Sequence, residues 1–174
     1  MLVIWLTGIS GAGKTTIANA LSVELSKKKI LHEVLDGDEY RAVLSPNDGF
    51  SMKERDNFRL KIISIAKLLT RNNILCIIPL LSSSRSIRKL ARNEFTDFME
   101  IYIKCPIEIC ERRDPKGLYK KVRSGKLKDF VGVDLPYEEP LNPEIIIESD
   151  VLTVSESVNE ILKELGHNFP DIFH

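Results

Sequence analysis

Apolar residues occur along this chain in two patterns, unbroken short runs and helically spaced stripes. Residues 2–6, 74–78 and 98–103 are nearly continuous apolar runs of strand length. That pattern suits central strands of a parallel sheet covered on both faces. Shorter apolar runs at 33–35 and 145–147 read as further strands. Between them, apolar positions recur at helical spacing: Ile17, Leu21 and Leu25 within 16–29, and Phe58, Ile62, Ile65, Ala66 and Leu69 within 52–71. A third stripe is Val158, Ile161, Leu162 and Leu165 within 154–165. The first of these helices closes on Lys27, Lys28 and Lys29, cations that suit a helix C-terminus. Arg55, Asn57, Arg59 and Lys61 are left for the other faces of the second, and Ser51 with Glu54 forms a capping box at its start. A basic helix over 86–95 and a short one over 106–113, begun by proline, complete the alternation. Strands alternating with helices predict an α/β fold, a five-stranded parallel sheet with helices on both faces and right-handed crossovers. No repeat or linker interrupts residues 1–174, which read as a single domain.

Composition narrows the function classes. At 174 residues the chain can bury a proper core, and 43% hydrophobic with 29% charged residues suits a globular protein. Twenty-five cations balance twenty-five acids, so no global charge points to a nucleic-acid polymer or an anionic membrane. No apolar run is long enough to span a bilayer, and the chain opens directly on a strand, which predicts a cytoplasmic protein. Cys76, Cys105 and Cys110 carry neither metal-ligand spacing nor a disulfide framework and read as free, buried thiols. His32, His167 and His174 are scattered.

The chemistry concentrates at strand ends. Gly8 to Thr15 fits the phosphate-binding pattern G-x-x-x-x-G-K-[ST], with strand, loop and helix in the required order. Gly8, Ser10, Gly11, Ala12 and Gly13 would turn backbone N–H groups toward phosphate oxygens, and Thr16 at the start of the helix completes the ATP-binding set with Lys14 and Thr15. Lys14 would reach the β- and γ-phosphates of ATP, and the Thr15 hydroxyl would ligate Mg²⁺. The fold is thus a three-layer one of the phosphate-loop (P-loop) NTPase type. Asp36-Gly-Asp38 follows the second strand. Its carboxylates would serve a metal or accept the proton of an attacking hydroxyl, or they form an Asp-Gly turn with a helix cap. Eight basic residues and one acid lie in 112–128, and Gly117, Gly125 and Gly132 argue against one rigid helix there. A mobile, anion-binding lid over about 112–132 is the expectation, against the alternative of a solvated charged face.

Together these motifs resemble the adenylylsulfate kinase family over about residues 3–147. The residues that carry the likeness are Gly8 to Thr16, Leu35-Asp-Gly-Asp38 with Arg41, Asn57, and Arg113-Asp-Pro-Lys-Gly-Leu-Tyr-Lys-Lys121 with Phe130. The resemblance implies transfer of the γ-phosphoryl group of MgATP to the ribose 3′-hydroxyl of adenosine 5′-phosphosulfate. Lys14, Asp36 and Asp38 would be catalytic, with Thr15 and Asp36 on the metal and Asp38 as base. Arg41 would bind the phosphosulfate, Phe50 and Phe130 would sandwich the acceptor base, and Asn57 would orient it. Leu81, Ser82 and Lys116 would touch substrate; in some members the serine corresponding to Ser82 is itself phosphorylated. The resemblance also raises a homodimer, for which the surface pattern supplies no signal.

Departures from the family cluster on the acceptor side. The arginine that the family places three residues before the helix asparagine is Glu54 here. Arg55 is counted among the substrate-binding residues, although one step along a helix turns a side chain by about 100°. Residues 79–85 read Pro-Leu-Leu-Ser-Ser-Ser-Arg where the family has Ser-Phe-Ile-Ser-Pro-Tyr-Arg. Glu39-Tyr40 stands where the family usually has Asn-Val or Asn-Ile, and the extra N-terminal segment of many members is lacking. These changes leave open the same 3′-hydroxyl phosphorylation on another nucleotide conjugate, such as cytidine diphosphoramidate. A nucleotide switch without catalysis would be expected to have lost Lys14, Thr15 or an aspartate of the pair, and none is lost. A kinase of small metabolites shares the loop but leaves Phe50, Phe130 and the lid sequence unaccounted for.

Overall fold

In the computed structural model, which describes residues 1–47, 49 and 51–173, the five apolar runs pair into one all-parallel sheet. The strands are β1 (Val3–Thr7), β2 (His32–Val34), β3 (Leu75–Pro79), β4 (Phe98–Lys104) and β5 (Ile145–Glu148), in the order β2-β3-β1-β4-β5. β1 sits at the centre, with Ile4 opposite Ile77 of β3 and Met99 of β4. Every residue of β1 and β3 is buried, which is why both read as unbroken apolar runs. Strand bounds differ from the sequence reading by one residue, as expected where burial continues past the last ladder bond.

Alternation along the strands divides the interior in two. Leu2, Ile4, Leu6, Leu75 and Ile77 face one layer, with α1 (Lys14–Lys27) and α7 (Val154–Asn168). Val3, Trp5, Cys76 and Ile78 face the other, with α3 (Met52–Arg71) and α4 (Arg85–Glu94). Helices therefore cover both faces, and the loops at the carboxyl ends of β1, β2 and β3 open on one edge, where such sheets bind ligands.

Two capping boxes fix helix starts. Ser51 accepts from the Glu54 N–H while the Glu54 carboxylate accepts from the Ser51 N–H, and Thr153 with Glu156 does the same for α7. Three helices are absent from the sequence reading. α2 (Gly37–Leu44) buries no residue and so carries no apolar stripe. α6 (Leu118–Arg123) fills the basic segment between Gly117 and Gly125, both at positive φ. α8 (Pro170–Phe173) is a single turn near the C-terminus; the remaining element, α5 (Ile107–Arg113), lies within the range read for it. One assignment on α3 is corrected: Arg59 belongs to the buried stripe with Phe58, Ile62, Ile63 and Ala66, while Ile65 and Leu69 sit at its margin. The three cysteines are free and buried. No helix among the described residues is long and apolar enough to cross a membrane.

Candidate active site

β1 stops at Thr7 because the next residues cannot remain in a strand. Gly8, Gly11 and Gly13 take φ of 152°, 78° and 99°. A Cβ on Gly8 would sit 2.4 Å from the Ile103 carbonyl oxygen, and one on Gly11 would sit 2.9 Å from that of Cys110. The loop is therefore pressed against β4 and α5 at two points only glycine permits. Gly13 precedes the first turn of α1, whose free N–H groups give the loop its anion-binding end. Lys14 Nζ donates to the Gly8 and Ile9 carbonyls, both at 2.8 Å, so the lysine folds back over its own loop. Burial, followed by repulsion from Lys116, lowers the Lys14 ammonium to about 8, against the pull of Asp38, Cys110 and Asp36.

Asp36 takes the cap position at the start of α2 and also meets the phosphate loop. One oxygen accepts from the Asp38 N–H at 2.9 Å and caps α2; the other accepts from the Thr15 hydroxyl at 2.7 Å. A hydroxyl and a carboxylate in contact beside a phosphate loop form a hard, all-oxygen donor pair of the kind that holds Mg²⁺ with phosphates and water completing its shell. Among the described residues no cluster of three or more His, Cys, Asp or Glu is placed to hold a metal. Asp38, in the first turn of α2, is ion-paired to Lys116 of the basic segment.

These groups open into one cavity of about 1130 Å³. Its floor is Ser10 to Thr16. Asp36, Asp38, Arg41, Arg55 and Leu81 line one flank, and Lys116 and Phe130 the other. Arg41 donates to the Gly49 carbonyl and lies over the Phe58 ring, 5.4 Å from its centroid. Arg55 reaches the Asp129 carbonyl at 3.0 Å, tying α3 to the residue before Phe130. Phe130 is buried, edge-on to Tyr119 at 5.0 Å, and Tyr119 donates to the Ser10 carbonyl at 2.9 Å. The basic segment is thus anchored in the core by Tyr119, Val122 and Phe130 rather than held off as a wholly solvated flap.

Two expected residues fall elsewhere. The Asn57 side chain is exposed and does not line the cavity. Ser82 is fully buried; its hydroxyl accepts from Trp5 Nε1 at 2.9 Å and donates to the Thr7 hydroxyl at 2.9 Å, so it is spent inside the fold rather than presented to the cavity. Phe50 lies outside the described residues. The structure adds others: Arg59 on the flank, and Arg113, Ser149, Leu152 and Thr153 at the far end. Arg113 donates to the Ser149 carbonyl at 2.6 Å, and the Ser149 hydroxyl donates to the Ala12 carbonyl at 2.7 Å, closing the loop after β5 onto the phosphate loop. Neither Arg59, which the sequence pattern leaves off the apolar stripe, nor the residues after β5 carried a sequence signal.

Comparison with known proteins places this geometry among relatives. Residues 1–148 match the model of the family described as adenylylsulphate kinase. An adenylyl-sulfate kinase of Rippkaea orientalis is 47% identical over 167 residues, covering 94% of this chain and 92% of that one. Another, from Gloeothece citriformis, is 45% identical over 162 residues, with 93% and 92% covered. The solved structure of the Mycobacterium tuberculosis APS kinase CysC in complex with AMPPNP and APS superposes with a TM-score of 0.91 at 36% identity, covering 94% of this chain and 96% of that one.

Proposed function

The chain belongs to the adenylylsulphate kinase family, and from that membership we propose that it transfers the γ-phosphoryl group of ATP to the 3′-hydroxyl of adenosine 5′-phosphosulfate. The observation that carries the reading is one cavity in which a complete phosphate loop faces Asp38 and Lys116. ATP phosphates lie along the loop and the N-terminus of α1, with Lys14 turning from its own carbonyls to the phosphate oxygens. Thr15 and Asp36 would hold Mg²⁺, which when bound would supply neutralisation of the phosphate charge. Asp38 accepts the hydroxyl proton once the acceptor displaces Lys116 from it, and Lys116 then serves the phosphates. Arg41, Arg55, Leu81 and Phe130 form the acceptor end, with Phe130 giving a ring face for the base. The segment 112–132 acts as a lid that excludes water from the donor. The cytoplasm is the compartment this reaction implies.

Glu54, the departure that raised another acceptor, has a local reason. Its carboxylate is occupied by the Ser51 and Gly49 N–H groups. That supports keeping adenosine 5′-phosphosulfate as the acceptor. The test is turnover with MgATP, comparing adenosine 5′-phosphosulfate with cytidine diphosphoramidate, for wild type and Asp38→Asn. We expect kcat/KM to favour the adenosine compound by at least a hundredfold, and Asp38→Asn to lower kcat at least a hundredfold with MgATP affinity nearly unchanged. Preference for the cytidine compound would replace the acceptor, and full turnover in Asp38→Asn would remove the base.

A further inference from the structure

The connection between β3 and α4 runs through the interior after the strand ladder has ended. Ser82 and Ser83 are 0% and 2% exposed. Buried carbonyls without ladder partners need other donors. Two successive carbonyls find buried guanidinium groups from different helices. Arg59 of α3 donates to the Leu81 carbonyl at 2.6 Å, and Arg88 of α4 donates to the Ser82 carbonyl. Both arginines are almost wholly buried and ion-paired: Arg59 to Asp56 at 2.5 Å, and Arg88 at 2.8 Å to Glu100, which Arg92 also approaches at 3.5 Å. Leu80 and Leu81 line the cavity, and Arg59 lines it beside them. Arg88 also donates to the Glu138 carbonyl and lies over the Tyr137 ring, 5.7 Å from its centroid; the Tyr137 hydroxyl meets the Thr7 hydroxyl at 2.9 Å, one residue before the phosphate loop.

We propose that Arg59 and Arg88 are positioning residues of the acceptor site, holding the Leu81 and Ser82 backbone in the shape that forms one wall of the cavity. The inference rests on the assignment of this end of the cavity to the acceptor. A planar guanidinium serves a carboxylate and a carbonyl together from fixed directions, whereas an ammonium supplies the charge without the fork. Removing the fork frees the wall, and the loss is felt by the ligand that touches the wall rather than by the nucleotide on the phosphate loop. The same bonds join this wall to residues 137 and 138, which follow the basic segment, so the two flanks share one support.

The test uses Arg59→Lys and Arg88→Lys in the full chain, which retain charge. Hydrogen exchange of residues 80–84 in the ligand-free protein, acceptor KM and MgATP affinity are measured for each. The expected result is exchange at least tenfold faster in 80–84 with residues 3–7 unchanged, acceptor KM raised at least tenfold, and MgATP affinity within twofold of wild type. A fall in melting temperature with unchanged exchange, or faster exchange with unchanged acceptor KM, overturns the proposal. Asp56→Asn changes a side chain that is 40% exposed; it should raise both readouts about threefold, and it decides for Arg59 if Arg59→Lys does not fold. Exchange needs no substrate. Wild type that fails to phosphorylate adenosine 5′-phosphosulfate therefore removes the acceptor assignment, while the exchange result still decides whether the arginines hold the wall.

Discussion

Lys14 ties nucleotide binding to pH on the alkaline side. Its ammonium is half-buried beside Lys116, and desolvation with that repulsion lowers it to about 8, so the free protein loses this charge as pH rises through 8. Phosphate oxygens favour the charged form and raise its pKa in the complex. Below pH 8 both states hold the proton and this group gives no pH dependence. Above pH 8 the free protein has lost the proton and must regain it on binding, so affinity falls as pH rises, by up to tenfold per unit, about 1.4 kcal/mol. We expect the MgATP dissociation constant to rise from pH 8 to 9.5, with proton uptake visible by calorimetry in buffers of different ionisation enthalpy. Lys14→Arg, which keeps its charge, should remove the slope. A flat profile in wild type would mean that the lysine stays charged in the free protein. The lysine's place was legible from eight residues of sequence; its retreat onto the Gly8 and Ile9 carbonyls was not, because that depends on the loop's curvature.

At the scale of elements, α3 links helix capping to substrate geometry. Glu54 closes the capping box with Ser51 and also accepts from the Gly49 N–H, while the Gly49 carbonyl accepts from Arg41. One carboxylate thus fixes the entry to α3, the loop before it and, through Gly49, an arginine of the cavity. Glu54→Ala should cost about 1 kcal/mol of stability, the usual worth of a capping interaction, read as a shift in urea midpoint with unchanged m. Glu54→Gln, which keeps an acceptor, should lose less. An unchanged midpoint in Glu54→Ala would show that the box adds nothing to the folded state. This helix was readable because Ser51, Glu54 and the apolar stripe all lie within it. α2 was not, since a helix that buries nothing leaves no periodic signal. Arg59 and Ser82 were misread for a related reason: their partners, the Leu81 carbonyl and Trp5, lie 22 and 77 positions away, and only the assembled sheet brings them together.

For the whole molecule, zero net charge conceals a strong local field. Twenty-five cations balance twenty-five acids along the chain, yet among the described residues the cavity collects eight cations against Asp36 and Asp38 alone. Lys14, Arg41, Arg55 and Arg59 come from the floor and one flank, and Arg113, Lys116, Lys121 and Lys128 from the other. The fold causes this separation: parallel strands deliver the loops of β1, β2 and β3 to one edge, and the basic segment after α5 crosses that edge. A concave surface of one sign concentrates counter-charged ligands and speeds their capture. The field is screened within a Debye length, about 10 Å at 0.1 M salt and 3 Å at 1 M. We therefore expect the association rate of a fluorescent ATP analogue, followed by stopped flow, to fall at least fivefold between 0.05 and 0.5 M salt, with dissociation changing less. Lys128→Ala, inside the cavity, should flatten the dependence, whereas Lys120→Ala, exposed and outside its lining, should leave it as in wild type. Equal slopes in all three proteins would show that capture depends on the phosphate loop alone and that the charge on the opposite flank acts only after the nucleotide has bound.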